Sequence, residues 1–509
     1  MPHLHRRVAG SRSIFLAPAL ILAGCGPGGE TNRLASALLV TIDCLRSDHC
    51  SAYGYERETT PNLESLAREG VLFERSWSQA PFTAPAHASL FTGLHTQSHG
   101  VLHWATRIDP AVPTFAGLFA AEGYATGAFL NHPSLEGTGV LDDFETVGQR
   151  VLEPWDLAVG DFLGWLDSKV SDLDDPFAAW VHLWDVHRPY GYRDWSPDWW
   201  QEATGRGPGE LQLSYAEQTV DEGGYRRDTD PRVGRLEEHY NLNVRERRSP
   251  RPLGGEQRLF READWQAIED RYDNAVRAAD EGLGALIEGL RERKRLDDTI
   301  LIVTADHGEA LRERIGCWFT HDPYLYEETL RVPLVIRFPG GEFAGQRIQR
   351  AARGIDVLPT FLDATEVGTL SVIQGRSLLP DVRGEVRDEL PVFAQTQTTN
   401  AKEDDRKAKD LDVDWIEHRL ALVHQGFKLI RDLDTGQDLL FELATDPEEQ
   451  RDLVAGGKHQ AEHAGLSQLL ETLANGLPRS GSDWRDLPCD ERRILVSLGY
   501  LDESVLEDC

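Results

Sequence analysis

Short apolar runs alternate along this chain with segments in which apolar residues recur every three or four positions. Runs with the length and composition of buried strands lie at 37–42, 125–130, 177–184, 299–305 and 332–338. Segments with helical spacing lie at 60–70, 114–123 and 265–293. Because strands that alternate with helices form crossover units, we predict an α/β fold with a large, mostly parallel sheet flanked by helices.

The pattern changes beyond about residue 385. A charged stretch at 401–412 leads into short apolar runs at 420–423 and 427–431. Neighbouring short strands of this kind predict a small antiparallel sheet. We therefore divide the folded chain into a large domain at 34–384 and a small C-terminal α+β subdomain at 385–509.

Residues 191–262 interrupt the alternation inside the large domain. This segment is rich in Gly, Pro, Arg and Asp, and it contains Trp195, Trp199 and Trp200. Loops of this length are uncommon in compact domains unless they have a function of their own. Two interpretations stay open, a lid over an active site and an insertion on the surface.

Residues 1–24 have the features of an export signal. A positively charged start precedes an apolar run at 14–24, which is too short to cross a bilayer as a helix. The sequence Leu-Ala-Gly-Cys at 22–25 resembles a bacterial lipobox, although a chance cysteine after an ordinary signal gives the same letters. We expect an exported lipoprotein, lipidated at Cys25 and held at the periplasmic or outer face of a membrane, with 25–33 as a linker.

The charge balance narrows the classes of partner. The chain has 53 basic and 85 acidic residues, for a net charge of −32. A surface this acidic repels nucleic acid and anionic bilayers, so we expect no nucleic-acid partner and a membrane contact only through a lipid. An anionic substrate then requires a local positive centre, and a bound metal ion supplies one.

Candidate metal ligands follow two of the predicted strands. Asp43 ends the first apolar run, and Asp306 and His307 end the run at 299–305. Ligands of open parallel sheets collect at the carboxyl ends of the strands, so these residues are expected to converge. Carboxylate oxygens and an imidazole nitrogen suit a divalent metal. Each residue alone is also common as a helix cap.

Thr83 is the candidate nucleophile and a fourth metal ligand. It stands at the start of a short helix that we predict from Pro85 to Thr92, with Gly93 as the cap. A metal ion lowers the pKa of a hydroxyl that it binds, and a helix amino end favours a bound anion. An activated threonine facing an oxyanion substrate is therefore expected.

Further polar residues fall at predicted strand ends. His187 follows the run at 177–184, and His321 follows the Asp306 strand; each can protonate a leaving oxygen or hold the substrate anion. Asn131 and His132 follow the run at 125–130 and are candidates for substrate contacts. A capping or surface role is the competing interpretation for all of them. His182 lies inside its strand and is expected to be structural.

With these residues placed, the chain resembles the sulfatase family of the alkaline phosphatase superfamily. The resemblance is carried by LLVTIDCLRSDHCSAYGY from Leu38, SQAPFTAPAHASLFTGLHTQSHGV from Ser78, WVHLWDVHRPY from Trp180 and TILIVTADHGEAL from Thr299. It implies an alkaline-phosphatase-like domain with a C-terminal subdomain. It also implies one divalent metal held by Asp43, Thr83, Asp306 and His307, with Thr83 as nucleophile. His187 and His321 match positions that contact the ester anion or the leaving group.

The chain departs from the family pattern at the nucleophile. Sulfatases carry Cys or Ser in a C/S-x-P-S/A-R motif, oxidised to formylglycine, whereas Thr83 and His87 occupy the first and last places here. The threonine β-carbon bears a methyl group, so its oxidation cannot give an aldehyde and no formylglycine is expected. His87, in the place of the motif arginine, is a candidate for substrate binding, and Cys44 stands where many members have a second metal-binding aspartate.

Unmodified threonine is the nucleophile of related phosphodiesterases. A second metal bound by Asp185, His187 and His321, as in those enzymes, is an open alternative. We expect a metal-dependent hydrolase of sulfate or phosphate esters, acting on a small molecule or on a glycan- or lipid-linked anionic ester. A phosphodiesterase, a transferase of phosphorylated head groups and a catalytically silent binding lipoprotein are the alternatives. The sequence does not distinguish Ca²⁺, Mn²⁺ and Zn²⁺.

Overall fold

The computed structural model describes residues 34–479 and Cys489. Its gaps are at 103–105, 132–134, 136, 150–154, 171, 188–189, 191–218, 221–225, 228–261, 314–320, 322, 369 and 400–414. The export signal, Cys25, His132 and nearly all of the 191–262 segment therefore lie outside the described residues. The expectations for them stay predictions.

An eight-stranded sheet forms the centre of the large domain. The strands of this domain are β1 Ser36–Ile42, β2 Val71–Trp77, β3 Ala125–Leu130, β4 Thr146–Gln149, β5 Phe177–Leu183, β6 Thr219–Val220, β7 Arg226–Arg227, β8 Thr299–Thr304, β9 Leu334–Arg337 and β10 Gln346–Arg353. The sheet order is β10-β2-β9-β8-β1-β5-β3-β4, and β6 and β7 pair separately. β9 is antiparallel to β2 and β8, whereas the other neighbours are parallel.

The central strands are continuous apolar runs because both faces of the sheet are covered. Every residue of β1, β5 and β8 is buried. Alternate residues of β1 enter opposite cores: Ala37 and Leu39 pack on one face, and Leu38 and Val40 on the other. This is the pattern expected of a sheet with helices on both sides.

Helices pack on the sheet, and the last of them follows the final strand. They are α1 Pro61–Glu69, α2 Thr83–Thr92, α3 Thr96–His99, α4 Phe115–Ala121, α5 Trp155–Lys169, α6 Glu262–Glu292, α7 Glu327–Leu330, α8 Val357–Ala364, α9 Leu379–Val382 and α10 Gln460–Gly476. The predicted helices at 60–70, 114–123 and 265–293 correspond to α1, α4 and α6. No described helix has both the length and the hydropathy of a membrane span.

The C-terminal subdomain is a four-stranded antiparallel sheet with one helix. Its strands, in spatial order, are β11 Val392–Thr399, β12 Trp415–His424, β13 Phe427–Asp432 and β14 Asp438–Glu442. One face of this sheet packs on α10, through residues such as Leu422 and Leu470. The other face packs on Trp77, Leu325 and Leu330 of the large domain. The predicted α/β fold with a small α+β subdomain is therefore confirmed.

The strand order places the candidate site. β1 lies between β5 and β8 at the centre of the sheet. All three strands run in the same direction, so the residues that follow them meet at one edge. Asp43 follows β1, Asp306 follows β8, and His187 lies in the turn after β5.

Candidate active site

Two carboxylates form the core of the site, and three of their four oxygens lack ordinary partners. Both oxygens of Asp43 and Oδ2 of Asp306 are buried without a hydrogen bond of normal geometry. Burial raises the pKa of Asp43. Asp306 Oδ1, in contrast, accepts from the backbone N–H groups of His307 at 2.9 Å and Cys44 at 3.3 Å. Buried carboxylate oxygens are costly when left unpaired, so this cluster favours a bound cation.

His307 adds a nitrogen ligand whose tautomer is set by the backbone. Its Nδ1 lies 2.9 Å from the Gly308 carbonyl oxygen, which can only accept, so Nδ1 carries a proton and Nε2 is the nitrogen that can bind a metal ion. His307 Nε2 is 3.3 Å from Asp306 Oδ2 and 4.0 Å from Asp43 Oδ1. Asp43, Asp306 and His307 each place a ligand atom within 4.8 Å of the others. This donor set fits a divalent metal ion.

Thr83 lies directly beside these ligands. Its Oγ1 is 3.2 Å from His307 Nε2. Thr83 is the first residue of α2, two positions earlier than predicted, because Phe82 has an extended backbone and the Ala86 N–H closes the first turn on the Phe82 carbonyl at 3.0 Å. The amino end of a helix presents N–H groups without intrahelical acceptors. The hydroxyl therefore stands where both a metal ion and an oxyanion are favoured.

His321 is oriented by a carboxylate that the sequence analysis did not identify. Glu309 Oε2 lies 3.0 Å from His321 Nδ1, and Glu309 Oε1 accepts from the Tyr190 hydroxyl at 2.9 Å. Since a carboxylate accepts, Nδ1 of His321 is the donor and its Nε2 is directed elsewhere. The His321 ring centroid is 4.4 Å from that of His307 and 5.8 Å from that of His187. Glu309 is two positions after His307, and this short spacing was its sequence signal.

Cys44 contacts the same carboxylate. Its thiol donates to Glu309 Oε2 at 3.3 Å, and its backbone has a left-handed φ of 57°. Burial, together with the neighbouring carboxylates, raises the pKa of this thiol well above its ordinary value. Cys44 therefore stays protonated and acts as a hydrogen-bond donor.

The geometry bears on the second-metal alternative. The candidate metal groups among the described residues include Cys44 with His307 and His321, and Cys44 with Asp43 and His187. None of these groups contains Asp185. The Asp185 Oδ1 accepts from the Trp155 N–H at 3.3 Å, at the start of α5. Asp185 thus contributes to a helix start, and the second metal stays a prediction.

A layer of polar side chains lies beneath the carboxylates; we call Thr41, His87, Trp180 and His182 the site floor. The Thr41 Oγ1 is 3.0 Å from His87 Nε2, 2.8 Å from His182 Nδ1 and 2.8 Å from Trp180 Nε1. Burial lowers the pKa of His87 to about 3 and that of His182 to about 4. Both rings are therefore neutral near pH 7.

Two predicted substrate contacts have protein partners in this arrangement. His87 Nδ1 lies 2.8 Å from the Thr83 carbonyl oxygen, so both of its ring nitrogens contact protein atoms. The Asn131 Oδ1 accepts from the Trp184 N–H at 3.0 Å. His132, the third predicted contact, lies outside the described residues. Contact of these residues with substrate stays a prediction.

Comparisons with known proteins agree with this arrangement. Residues 36–367 match the Sulfatase family, and residues 316–476 match the C-terminal region of N-sulphoglucosamine sulphohydrolase. The chain is 24% identical to the N-acetylglucosamine-6-O-sulfatase of Bacteroides thetaiotaomicron, over 96% of this chain and 94% of that protein. It is 25% identical to the multifunctional alkaline phosphatase superfamily protein PehA of Trinickia caryophylli, over 68% of this chain and 76% of that protein.

Solved structures show the same fold. A protein in complex with its substrate D-glucosamine-2-N,6-O-disulfate superimposes with a TM-score of 0.66 and 22% identity, covering 87% of this chain and 98% of that one. The phosphonate monoester hydrolase of Agrobacterium radiobacter superimposes with a TM-score of 0.64 and 21% identity, covering 87% and 96%. Because the family match spans well over half of the chain, this protein belongs to the sulfatase family of the alkaline phosphatase superfamily.

Proposed function

We propose that this protein is a metal-dependent hydrolase of sulfate or phosphate esters that uses unmodified Thr83 as its nucleophile. The observation that carries the proposal is the position of Thr83 Oγ1, 3.2 Å from Nε2 of His307 and at the start of a buried helix. The unpaired oxygens of Asp43 and Asp306 complete the ligand set. This complete set argues against the silent binding lipoprotein.

The metal ion and the amino end of α2 would both bind the substrate anion. A divalent ion held by Asp43, Thr83, Asp306 and His307 would lower the pKa of the Thr83 hydroxyl and neutralise the ester anion. The first turn of α2 offers its N–H groups to the same oxyanion. Together these groups supply the positive centre that a chain of net charge −32 lacks elsewhere.

The Thr83 hydroxyl releases its proton to solvent, its Oγ1 forms a bond to the phosphorus or sulfur atom, and the bond from that atom to the leaving alkoxide breaks. His321 is the stronger candidate for protonating the alkoxide, because Glu309 accepts from its Nδ1 at 3.0 Å and stabilises the imidazolium form. His187 is the second candidate. Water then attacks the phosphorus or sulfur atom and the bond from that atom to Thr83 Oγ1 breaks, which restores the hydroxyl and releases inorganic sulfate or phosphate from a monoester, or a phosphate monoester from a diester.

The threonine favours phosphate over sulfate esters. An aldehyde hydrate can expel sulfate by elimination, but the methyl group on the Thr83 β-carbon makes that route impossible. The covalent ester must be cleared by water, as in the related phosphodiesterases that use threonine. We therefore infer that phosphate monoesters or diesters are cleaved faster than sulfate esters.

The names of relatives support a substrate class, and the amino-terminal sequence supports a location. Relatives are named for sulfated sugars, as in N-acetylglucosamine-6-O-sulfatase, so a glycan-linked or small anionic ester is the proposed substrate class. We also propose that Cys25 is lipidated and anchors the enzyme outside the cytoplasmic membrane. Mass spectrometry of the mature amino terminus tests the anchor, and an unlipidated terminus would contradict it.

The nucleophile is tested by substitution and by trapping. Thr83→Ala should lower turnover by about 10⁴-fold or more, as removal of a nucleophile does in other enzymes, whereas Thr83→Ser should retain part of it. Assays should compare aryl phosphate monoesters and diesters with aryl sulfate, and mass spectrometry should find residue 83 either unmodified or esterified.

Thr92→Ala is a matched control, because Thr92 is a buried threonine at the other end of α2 whose hydroxyl donates to the Ala88 carbonyl at 2.6 Å. It should leave turnover within a few fold of wild type. Retention of activity in Thr83→Ala would show that the nucleophile is misassigned. Faster cleavage of sulfate than of phosphate esters would overturn the substrate inference.

A further inference from the structure

Arg46 is a buried arginine three residues after the proposed metal ligand Asp43, and it is only 4% exposed. An arginine is almost never buried to this extent unless its charge is paired. Its Nε and Nη2 donate to the two carboxylate oxygens of Asp48 at 2.9 and 2.7 Å. This bidentate pair fixes the plane of the guanidinium group and leaves Nη1 for other acceptors.

The Nη1 group of Arg46 reaches the loop that follows β8. It donates to the Glu309 backbone carbonyl oxygen at 3.1 Å and to a carboxylate oxygen of Glu313. The other Glu313 oxygen accepts from the backbone N–H groups of Leu311 at 2.8 Å and Arg312 at 3.0 Å. One guanidinium group therefore joins the loop after β1 to the loop after β8, and we call these contacts the Arg46 bridge.

Each of the two joined loops is also held to a neighbouring part of the large domain. The Tyr272 hydroxyl of α6 donates to the Cys44 carbonyl oxygen at 2.6 Å and accepts from the Arg46 N–H at 3.0 Å. In the loop after β8, the Gly308 N–H donates to the Thr329 carbonyl oxygen at 2.9 Å. Both loops thus have defined backbone positions, and the Arg46 bridge fixes one loop against the other.

We propose that Arg46 is a positioning residue for the metal centre, because its bridge holds together the two loops that carry the ligands Asp43, Asp306 and His307. The proposal rests on the metal centre of the proposed function. Arg46 acts through the backbone at Glu309, two residues after His307. Ligands that are already in place lose less conformational freedom when the ion binds, so a site formed in advance has the higher affinity.

The bridge requires the geometry of a guanidinium group. Arginine presents its donors in a planar fork, so Arg46 can bind Asp48 through two nitrogens while the third reaches the opposite loop. Lysine has one ammonium group and cannot reproduce this arrangement. An arginine side chain also stays protonated throughout the pH range of folded proteins. The bridge is therefore inferred to hold the two loops together before any metal ion binds.

Calorimetric titration of the full-length, chelator-treated protein with Mn²⁺ tests the inference. Arg46→Met should lower the Mn²⁺ affinity by about 10–100-fold, the range typical of residues that support metal ligands. Arg46→Lys should show a smaller loss of affinity in the same direction. Affinity is the informative quantity, because a residue that only stabilises the fold changes the free energy of unfolding and leaves the affinity of the folded protein unchanged.

Arg295→Met is the matched control, since Arg295 is a similarly buried arginine at the opposite edge of the same sheet. Its guanidinium group donates to Ser36 Oγ at 3.1 Å and to the carbonyl oxygens of Asp172 and Asp175 at 3.2 and 2.9 Å. It thereby joins the start of β1 to the loop before β5. The substitution should lower the free energy of unfolding in excess chelator but leave the Mn²⁺ affinity within about twofold of wild type.

The possible results separate this inference from the proposed function. A Mn²⁺ affinity of Arg46→Met within about twofold of wild type would overturn the inference and leave the proposed function intact. If Arg46→Met does not fold, the same comparison with Arg46→Lys decides the matter. An equal loss of affinity in Arg295→Met would also overturn it, because the effect would then be one of general stability. A wild-type protein that binds no metal would overturn both proposals.

Discussion

Lys428 and Asp43 are both fully buried, but the charged groups around them differ. Lys428 lies where the small sheet packs on the large domain, and its Nζ is 2.9 Å from Glu327 Oε1 and 3.0 Å from Glu449 Oε1. The Trp77 Nε1–H donates to the same Glu327 oxygen at 2.9 Å. Although burial opposes each charge, these partners raise the pKa of Lys428 and lower that of Glu327.

Asp43, in contrast, has no lysine or arginine paired with it among the described residues. Its nearest ring nitrogens are Nε2 of His182, 3.3 Å from Oδ2, and Nε2 of His307, 4.0 Å from Oδ1, and neither side chain is a permanent cation. Burial raises its pKa instead of lowering it. The Lys428 cluster is therefore complete as a structural ion-pair network, whereas we propose that a bound cation completes the Asp43 cluster. Lys428 and Asp43 are equally buried, so the difference between the two clusters lies in their charged partners and not in burial.

The largest effect on stability is expected at the Lys428 cluster. Lys428→Met removes the buried cation shared by Glu327 and Glu449, and of the cation partners described here it leaves Glu327 only Arg331, at 3.5 Å. Breaking a buried pair in this way typically costs about 3–5 kcal/mol of unfolding free energy. Denaturant or thermal unfolding should show this loss with and without metal. Lys169→Met, at an exposed position that ends α5, should stay within about 0.5 kcal/mol of wild type. A loss below about 1 kcal/mol at Lys428 would contradict the proposed contrast.

Metal binding should have the next largest effect. At a metal concentration 100 times the dissociation constant, linkage predicts about 2.7 kcal/mol of added stability, which chelation should remove. Asp306→Asn should lose most of this increment, and Lys428→Met should keep it if it remains folded. An equal response to metal in Asp306→Asn and wild type would place the binding site elsewhere.

The smallest effect is expected for Asp43→Asn without metal. No well-formed hydrogen bond to the carboxylate is lost and a buried charge is removed, so the metal-free stability should change by less than about 1 kcal/mol. The comparison is made by unfolding both proteins in excess chelator. A loss of unfolding free energy as large as that of Lys428→Met would mean that protein groups stabilise the Asp43 carboxylate without a metal ion.

Strand-end reasoning accounts for much of the fold and for the location of the site. Asp43 and Asp306 follow apolar runs, and parallel neighbours bring the ends of such runs together. The structure does place them together, with Thr83 and His307. The direction of β9 was not predictable, because an apolar run has the same composition in an antiparallel strand as in a parallel one.

The positions of His182 and Glu309 in the site depend on contacts between distant parts of the chain, which a single sequence does not reveal. His182 was expected to be structural because its strand carries no sign that it lies beside β1, with Thr41 opposite His182. Glu309 was missed because its spacing from His307 does not show that it contacts His321, 12 positions later. Sequence periodicity predicts elements, whereas these roles follow from register and loop geometry.

The burial of α2 has a consequence for how residue 83 acquires its chemistry. All ten side chains of this helix are buried, and Thr83 is 3% exposed. A modifying enzyme must enclose its target side chain, so it cannot reach this position once the chain has folded. Whatever group acts at residue 83 is therefore fixed at translation or during chain synthesis. With a threonine there, translation alone supplies the nucleophile that we propose.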